Sequence, residues 1–587
     1  MSIEDIGPDE LNDLGGIELR ADQAQEKELR AHTVKSDHFD QMHRALVQRG
    51  LVLIEGPRGC GKTHLMRYTW MQCRDNPSLP LAIYVSFNRY LRLEPLLHKS
   101  SDAIPVFQGW VLASILQEAN RLAQALDPED PLDVPAILGL TADQTAGLID
   151  RLERQLARTE VDEQTLRALS IDRVADAIVE MCEYYGRPRA VVLMDDAALT
   201  LTPDYLVEFF DIVRVLKRAK ISPKASIYPG TTDFGPRFHA NQEGEVLSAW
   251  LPIESGDYLQ NMRDIAEKRD ASAATLPSDA LDLLAYAAFG IPRAYLTMLR
   301  QFQQATKRPA DGSALTAQQV LAGVMEVVQA HNKLRLVEYR SLGKKMPKFS
   351  SLISTGQELF LAMVEAIRNA NDELIAKEKK ETQLVVGIES GSVTAMTNRM
   401  ITLLVEAGLV YEYPKDVSHG DERTYRRFTP DVATLIAERA FSGGSRGTSA
   451  RLILQVLQQR ATKHPARRKA DTLLSTEVIK ELKFDLPPCP RCHTARINEE
   501  QKFCHHCGTK LVEESTFDKC MSSPLSDVQG LTGFLVEKLH QKNIDTVFQF
   551  EAIRDPSSTL RGIEGIGKKR TTRIMTSIQS HIEEFLT

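Results

Sequence analysis

The sequence predicts a multidomain chain. An α/β unit with a parallel sheet leads, followed by helical segments, a helix–strand–loop–strand unit, a four-cysteine unit and an all-helical C-terminal domain. Three observations carry this. The 587 residues exceed what one core can hold, and about 150 residues per domain suggests roughly four units. Short apolar runs alternate with helical patterning as far as Ile253. Four of the eight cysteines form two tight pairs near the C-terminus, while Cys60, Cys73, Cys182 and Cys520 are scattered.

The elements follow in order. Residues 1–35 are polar; the first nineteen hold six acidic side chains and no Lys or Arg, and read as an acidic tail or docking segment. Ser36–Gly50 has helical spacing (Phe39, Met42, Ala45, Leu46) and ends in glycine, a helix stop. LVLIEG (51–56) is an apolar strand running into a glycine loop, and THLMRYTWMQ continues as a helix. LAIYVSFN (81–88), AVVLMDD (190–196), ASIYPGTT (225–232) and VLSAWLPI (246–253) read as further strands, interrupted by a helical insertion at about 93–185. Strands alternating with helices imply a parallel sheet covered on both faces, here spanning 36–255. Residues 256–310 are helical, a small lid, and helical patterning continues through 315–380. The segment 381–430 then reads helix, strand, polar turn, strand. FSGGSRGTS (441–449) has linker composition, 450–483 reads as a basic helical pair, 487–512 is the cysteine unit, and 523–587 is helical.

Composition is that of a folded protein, 43% hydrophobic and 26% charged, with net charge -7. Phe441–Ala470 nevertheless holds seven Lys/Arg and no acid, a local basic stripe whose field reaches about a Debye length, ~8–10 Å. No basic n-region precedes an apolar h-region and no apolar run approaches eighteen residues, so the reading is cytoplasmic and without a membrane span.

GPRGCGKT (Gly56–Thr63) fits G-x-x-x-x-G-K-[ST] between a strand and a helix. Its glycines (Gly56, Gly59, Gly61) let backbone N–H groups face phosphate oxygens. Lys62 supplies charge to the β/γ-phosphates of ATP, and Thr63 can ligate Mg²⁺. AVVLMDD brings acid to a strand end: Asp195 to hold Mg²⁺ through water, Asp196 to orient or deprotonate the attacking water. A helix N-cap is the plainer reading of that pair.

This phosphate loop, the apolar strand ending in Asp-Asp, a fourth strand ending in polar residues and GIPR (Gly290–Arg293) together resemble an AAA+ ATPase. The order is most similar to the initiator clade of origin-recognition type and its signal-transduction relatives, over roughly residues 35–310. The resemblance implies that Thr231 or Thr232 is the sensor-1 residue, that Arg293 is the sensor-2 arginine reaching from the lid, and that Arg237 is a finger acting on a neighbour's nucleotide, which implies self-association or a partner protein. A surface or salt-bridged role is the plainer reading of Arg237. Family members commonly carry Asp-Glu where this chain has Asp195-Asp196, which implies slow hydrolysis and ATP as a switch more than a fuel.

Initiator-type ATPases often carry a winged helix after the lid, and 355–435 resembles one. Its recognition helix would be Ser390–Gly408, exposing Thr394, Thr397, Asn398 and Arg399, and its wing would hold Arg423, Arg426 and Arg427. A winged helix used for protein contacts is the rival reading. Cys489, Cys492, Cys504 and Cys507, two C-x2-C pairs eleven residues apart, give four thiolates for tetrahedral Zn²⁺, and the unit resembles a zinc ribbon. A closed four-cysteine site is structural, and what the ribbon touches, nucleic acid or protein, stays open.

GIEGIGKKR (Gly562–Arg570) resembles a helix-hairpin-helix. Gly565 and Gly567 free N–H groups at a helix start, with Lys568, Lys569, Arg570 and Arg573 beside them. An imperfect copy lies at Val528–Thr532, with Thr532 in place of the second glycine. The whole reads as an ATP-binding, Mg²⁺-dependent ATPase that grips duplex or branched DNA, mostly by its backbone, through C-terminal modules. Two rivals stand beside it: a signalling ATPase of a prokaryotic, antiviral defence or mobile-element system, and a scaffold in which nucleotide is only structural.

Overall fold

The computed structural model describes residues 21–586 apart from 23, 100–101, 154–162, 197–202, 230–233, 236, 306–315, 421–422, 443–448, 483–484, 498–500, 502, 512–515 and 554. The chain forms two compact units: one of Met1–Val85, Ile178–Ala198 and Leu216–Asp485, the other of Ser86–Ala177, Leu199–Val215 and Leu486–Thr587.

The first unit is built on a five-stranded sheet of β1 (Leu51–Glu55), β2 (Leu81–Ser86), β3 (Ala190–Asp195), β4 (Ile221–Ile227) and β5 (Gly244–Ser248), ordered β2-β3-β4-β1-β5. β1 pairs in parallel with β4 and β5, and β3 pairs in parallel with β4. β1 and β3 are near-continuous apolar runs because a parallel sheet hides both faces. β4 lies between the strand that feeds the glycine loop and the strand that ends in acid, so residues at its C-terminal end reach both.

β4 begins at Ile221, four residues before its sequence-read start, and takes in Ser222, Pro223 and Lys224. Proline gives no ladder N–H and lysine rarely buries, which makes the segment look like a turn. Here Lys224 is fully buried and donates to the carbonyl of Ala45, in the last turn of the helix Asp37–Val47, at 3.0 Å and to that of Gly50, just beyond it, at 2.9 Å. Burial lowers its pKa to about 7.

The helices Tyr258–Arg269, Ser278–Ala287 and Pro292–Ala305 follow, then the long pair Ala317–Lys345 and Ser350–Ala376. Beyond them β6 (Glu381–Thr382), β7 (Val386–Glu389), the helix Ala395–Glu406, β8 (Val410–Glu412), β9 (Val417–His419) and β10 (Arg423–Pro430) give a helix–strand–helix–hairpin arrangement. The basic tract departs from the helical pair read in the sequence. After the helix Ala450–Leu457 it forms β11 (Arg460–Ala461) and β12 (Ala466–Arg468), and these pair in parallel with β6 and β7. Their partners lie about eighty residues away, beyond the reach of local periodicity. One hydrophobic cluster runs from Trp250 to Leu474, so lid, long helices, second sheet and basic tract share a core.

In the second unit the helix Ala103–Leu126 is buried through Phe107, Trp110 and Leu116, and Phe107 stacks on Tyr205 at 4.2 Å. The C-terminal segment contributes the α-helices Thr516–Ser522, Gly533–His540, Val547–Glu551, Pro556–Arg561 and Lys568–Leu586. Glu94, 5% exposed, accepts from the backbone N–H groups of Thr516 (3.0 Å) and Phe517 (2.7 Å). That carboxylate ties the first C-terminal helix to the short helix Glu94–Lys99 of the insertion. Cys60, Cys73, Cys182 and Cys520 are all buried. Among the described residues no helix is long and apolar enough to cross a membrane.

Candidate functional site

The glycine loop leaves the C-terminal end of β1 and enters the helix Lys62–Asp75. Gly59 and Gly61 take φ of 91° and 100°, the left-handed region where side chains are strained, and this turns the loop around its own N–H groups. Lys62, buried, donates to the carbonyls of Gly56 and Pro57 and stands 4.4 Å from the centre of the Tyr228 ring, just past β4. Thr63 follows in the first helical turn and is half-buried.

Across β4, Asp195 ends β3 with both carboxylate oxygens engaged. Tyr84 Oη donates at 2.9 Å and Ser226 Oγ at 2.8 Å. Ser226 Oγ in turn accepts from the Asp196 N–H at 2.9 Å, so one hydroxyl fixes both acids. Asp196 has φ 52°, which turns its side chain out of the strand line. Burial, then the Asp195 charge, raises the Asp196 carboxyl to about 7, against the opposing pull of Lys62 and Arg58. Tyr84 is raised well above its ordinary value by burial and by the same two acids. A lysine, a hydroxyl and two adjacent carboxylates around a glycine-rich helix start fit a nucleotide polyphosphate with a hard divalent cation.

The helical lid closes one side of the loop. Gly290 has φ 73°, and a Cβ on it would meet the Leu251 carbonyl oxygen at 2.0 Å. Past this turn the Arg293 N–H donates to the Gly59 carbonyl at 3.3 Å, while the Arg293 side chain is exposed. Gly408, after the helix Ala395–Glu406, packs so closely that an added Cβ would stand 3.2 Å from both Pro57 of the loop and Ile291. The loop therefore touches both the lid and the helix–strand–helix–hairpin body. Arg237 is exposed on a turn whose neighbour Phe238 is buried. Thr231 and Thr232 lie outside the described residues.

Sequence reasoning did not find Tyr84, Ser226 or Tyr228. The available signal was a serine and a tyrosine, at alternate positions, interrupting the end of an apolar strand.

The four cysteines converge: Cys489, Cys492, Cys504 and Cys507 have their sulfur atoms within 4.8 Å of one another. Zn–S bonds of about 2.3 Å at tetrahedral angles place sulfurs about 3.8 Å apart, so the set fits zinc. The two halves repeat each other. His493 (φ 56°) and Gly508 (φ 70°) each follow a C-x2-C pair, and Thr494 and Thr509 come next. Their hydroxyls lie 3.2 and 3.1 Å from the sulfurs of Cys492 and Cys507. The carbonyls of these threonines accept from the N–H of Cys489 and Cys504 at 3.0 and 2.8 Å.

Three arginines read as DNA contacts of the winged helix also have contacts within the protein. Arg426 pairs with Glu412 at 2.8 Å and donates to Asn398 at 2.6 Å. Arg427 donates to the Lys415 carbonyl and covers Tyr413; Arg399 stands 5.1 Å from the Phe349 ring centre. Thr397, sequence-read as exposed, is buried and bonded to Thr394.

In the C-terminal domain Gly530 and Gly565 share φ 89°, so the imperfect copy folds like the second hairpin at that position. Arg570 donates to the Gly565 carbonyl and Arg573 to the Gly530 carbonyl, both from the helix Lys568–Leu586. These two arginines, sequence-read as phosphate contacts, clamp the two turns. Gly567, Lys568 and Lys569 are exposed at the helix start.

No family model matches the chain, and no curated protein matches it. Similar solved structures include the Aeropyrum pernix ORC1 protein in complex with DNA (16% identity, covering 71% of this chain and 92% of that one, TM-score 0.29). A Walker-type ATPase of Pyrococcus abyssi aligns at 13% identity over 70% of this chain and 95% of that one, TM-score 0.32. Cdc6p from Pyrobaculum aerophilum aligns at 14% over 74% and 98%, TM-score 0.28. Alignments at these scores carry no functional weight.

Proposed function

We propose that the chain is an ATPase of AAA+ type that binds DNA through its C-terminal half, with nucleotide as the switch between conformations. The observation that carries this is the site itself: Lys62, Thr63 and the Asp195–Asp196 pair gathered by Ser226 around a glycine loop, with the lid seated on that loop. The N–H groups of the loop and Lys62 would hold the phosphates, and Thr63, with Asp195 through water, would hold Mg²⁺, which would supply charge neutralisation on the polyphosphate. Asp196 would take up or orient a proton of the attacking water. Arg293 enters from the lid, and Arg237, on an exposed turn, acts on the nucleotide of a neighbouring copy.

The switch follows from contact. Ile291–Arg293 and Gly408 touch the loop from two separate elements, so a change in the loop on binding moves both. In this reading residues 355–435 are a winged helix and the last domain a helix-hairpin-helix, and the two grip DNA phosphates. The zinc ribbon holds its own short segment folded. The test is ATP hydrolysis by the full chain with and without duplex DNA. DNA-stimulated hydrolysis that Lys62→Ala abolishes supports the reading. DNA binding should also weaken steeply with salt. Absence of DNA binding at low salt removes the polymer from the proposal, and hydrolysis that survives Lys62→Ala removes the loop.

A further inference from the structure

Among the described residues the exposed phenylalanines are Phe503, Phe534 and Phe548, and all three follow residue 486. A single exposed apolar side chain needs no explanation. Phe534 differs from the others in its surroundings. It is the second residue of the helix Gly533–His540, which starts directly after the first hairpin turn. Its ring tip lies 3.4 Å from where a Cβ on Gly565 would stand, so it abuts the second turn as well. The Arg570 guanidinium lies 5.1 Å from the ring centre and Lys538 Nζ 5.9 Å, yet the residue remains 47% exposed. The ring thus stands where the two turns meet, close to exposed Lys568 and Lys569.

We propose that Phe534 is a base-stacking platform, and that the C-terminal domain prefers nucleic acid carrying unpaired bases to intact duplex. The inference rests on the DNA-binding reading above and adds a substrate preference to it. Inside a duplex both faces of each base are covered by neighbours, so an exposed ring gains little there. A single strand offers free base faces, and stacking on an aromatic side chain is tolerant of sequence. The cations decide the occupant. Lysine is depleted where proteins meet proteins, whereas this ring has the Lys538 ammonium against it and two more lysines at the adjoining helix start. That composition matches a polyanion with flat, apolar bases. Arg570 serves twice, fixing the Gly565 turn and placing its charge beside the ring.

The experiment compares the affinity of the full chain for labelled oligo-dT and for a duplex of the same length, by fluorescence anisotropy at one fixed salt concentration. Phe534→Leu should lower oligo-dT affinity by about fivefold to a hundredfold while leaving duplex affinity within about twofold. Phe534→Trp should retain the preference, which shows that the position tolerates change without loss of fold. Phe548→Leu, on a different helix, should change neither. Unchanged affinity for both polymers in Phe534→Leu overturns the proposal and leaves the ring to a protein contact, and an equal loss on both overturns the preference for unpaired bases. A parent chain that binds neither polymer at low salt overturns the DNA reading beneath it. A parent that binds duplex but shows no oligo-dT preference overturns this inference alone.

Discussion

Replacing Gly59 by alanine probes the seat of the lid on the phosphate loop. At φ 91° an L-residue is strained by about 1–2 kcal/mol. The new Cβ would also stand 2.8 Å from Arg293 Cβ and 3.2 Å from Ile291 Cγ2. Arg293 Cβ is bonded to the backbone of the helix Pro292–Ala305, so no side-chain rotation relieves the clash and the helix start must shift by about 1 Å. Overpacking of this kind costs about 1–3 kcal/mol. If nucleotide binding requires the loop as it stands with the lid upon it, at least about 2 kcal/mol falls on the bound state, a loss of about thirtyfold in affinity. Titration calorimetry with a non-hydrolysable ATP analogue and Mg²⁺ reads it. Gly186→Ala is the control, since Gly186 has φ 60° with no atom near its would-be Cβ and lies away from the loop. It should destabilise the fold modestly and leave affinity unchanged. Gly59→Ala binding within about threefold of the parent would refute the coupling of lid and loop.

Asp196→Asn, which also tolerates a left-handed backbone, should cut hydrolysis by about a hundredfold or more while ATP affinity stays within a few-fold, measured by phosphate release and calorimetry. The same residue gives a pH signature in Mg²⁺-free protein. Its folded-state pKa is raised to about 7 from an ordinary value of about 3.9, so the folded chain keeps a proton that the unfolded chain releases. Its contribution to stability is full below pH ~4 and lost as pH rises through ~7; Asp196→Asn should flatten that fall in urea midpoints. Replacing Cys504 by alanine should reduce bound zinc from one per chain to none by elemental analysis and expose 489–511 to proteolysis, without altering ATP affinity. Glu94→Gln keeps the shape but removes the charge and replaces one of the two accepting oxygens by an NH2 donor, so one of the two backbone N–H groups loses its acceptor, at a cost of about 1–3 kcal/mol. Faster hydrogen exchange confined to 516–522 and its surroundings would report it.

The features legible in the sequence were those whose chemistry is local. A loop that needs glycines, a lysine and a threonine in fixed succession announces itself, as does a paired C-x2-C. The place of the Asp-Asp pair at a strand end was legible because the apolar run before it stops there. Tyr84 and Ser226 were not, because each is an ordinary residue until a sheet sets three strands side by side. β12 escaped for the same reason: Ala466–Arg468 is a strand only because β7 offers it an edge. The turn contacts of Arg570 and Arg573 were equally hidden: their charge is plain in the sequence, but the carbonyls they donate to belong to turns that only the folded domain brings beside them.

The Glu94 carboxylate bears on how such a chain can be cut and recombined. Drawn as a line, it has a nucleotide unit in front and separable modules behind, and residue 485 looks like a clean place to divide them. A chain ending there would keep the insertion but lose the N–H groups of Thr516 and Phe517 and uncover the side of the helix Glu94–Lys99 on which they pack. Grafting the last hundred residues onto another protein would strand the other half of the same contact. The insertion and the C-terminal segment are one cassette split by some three hundred residues of other structure. They can be exchanged between proteins only as a pair.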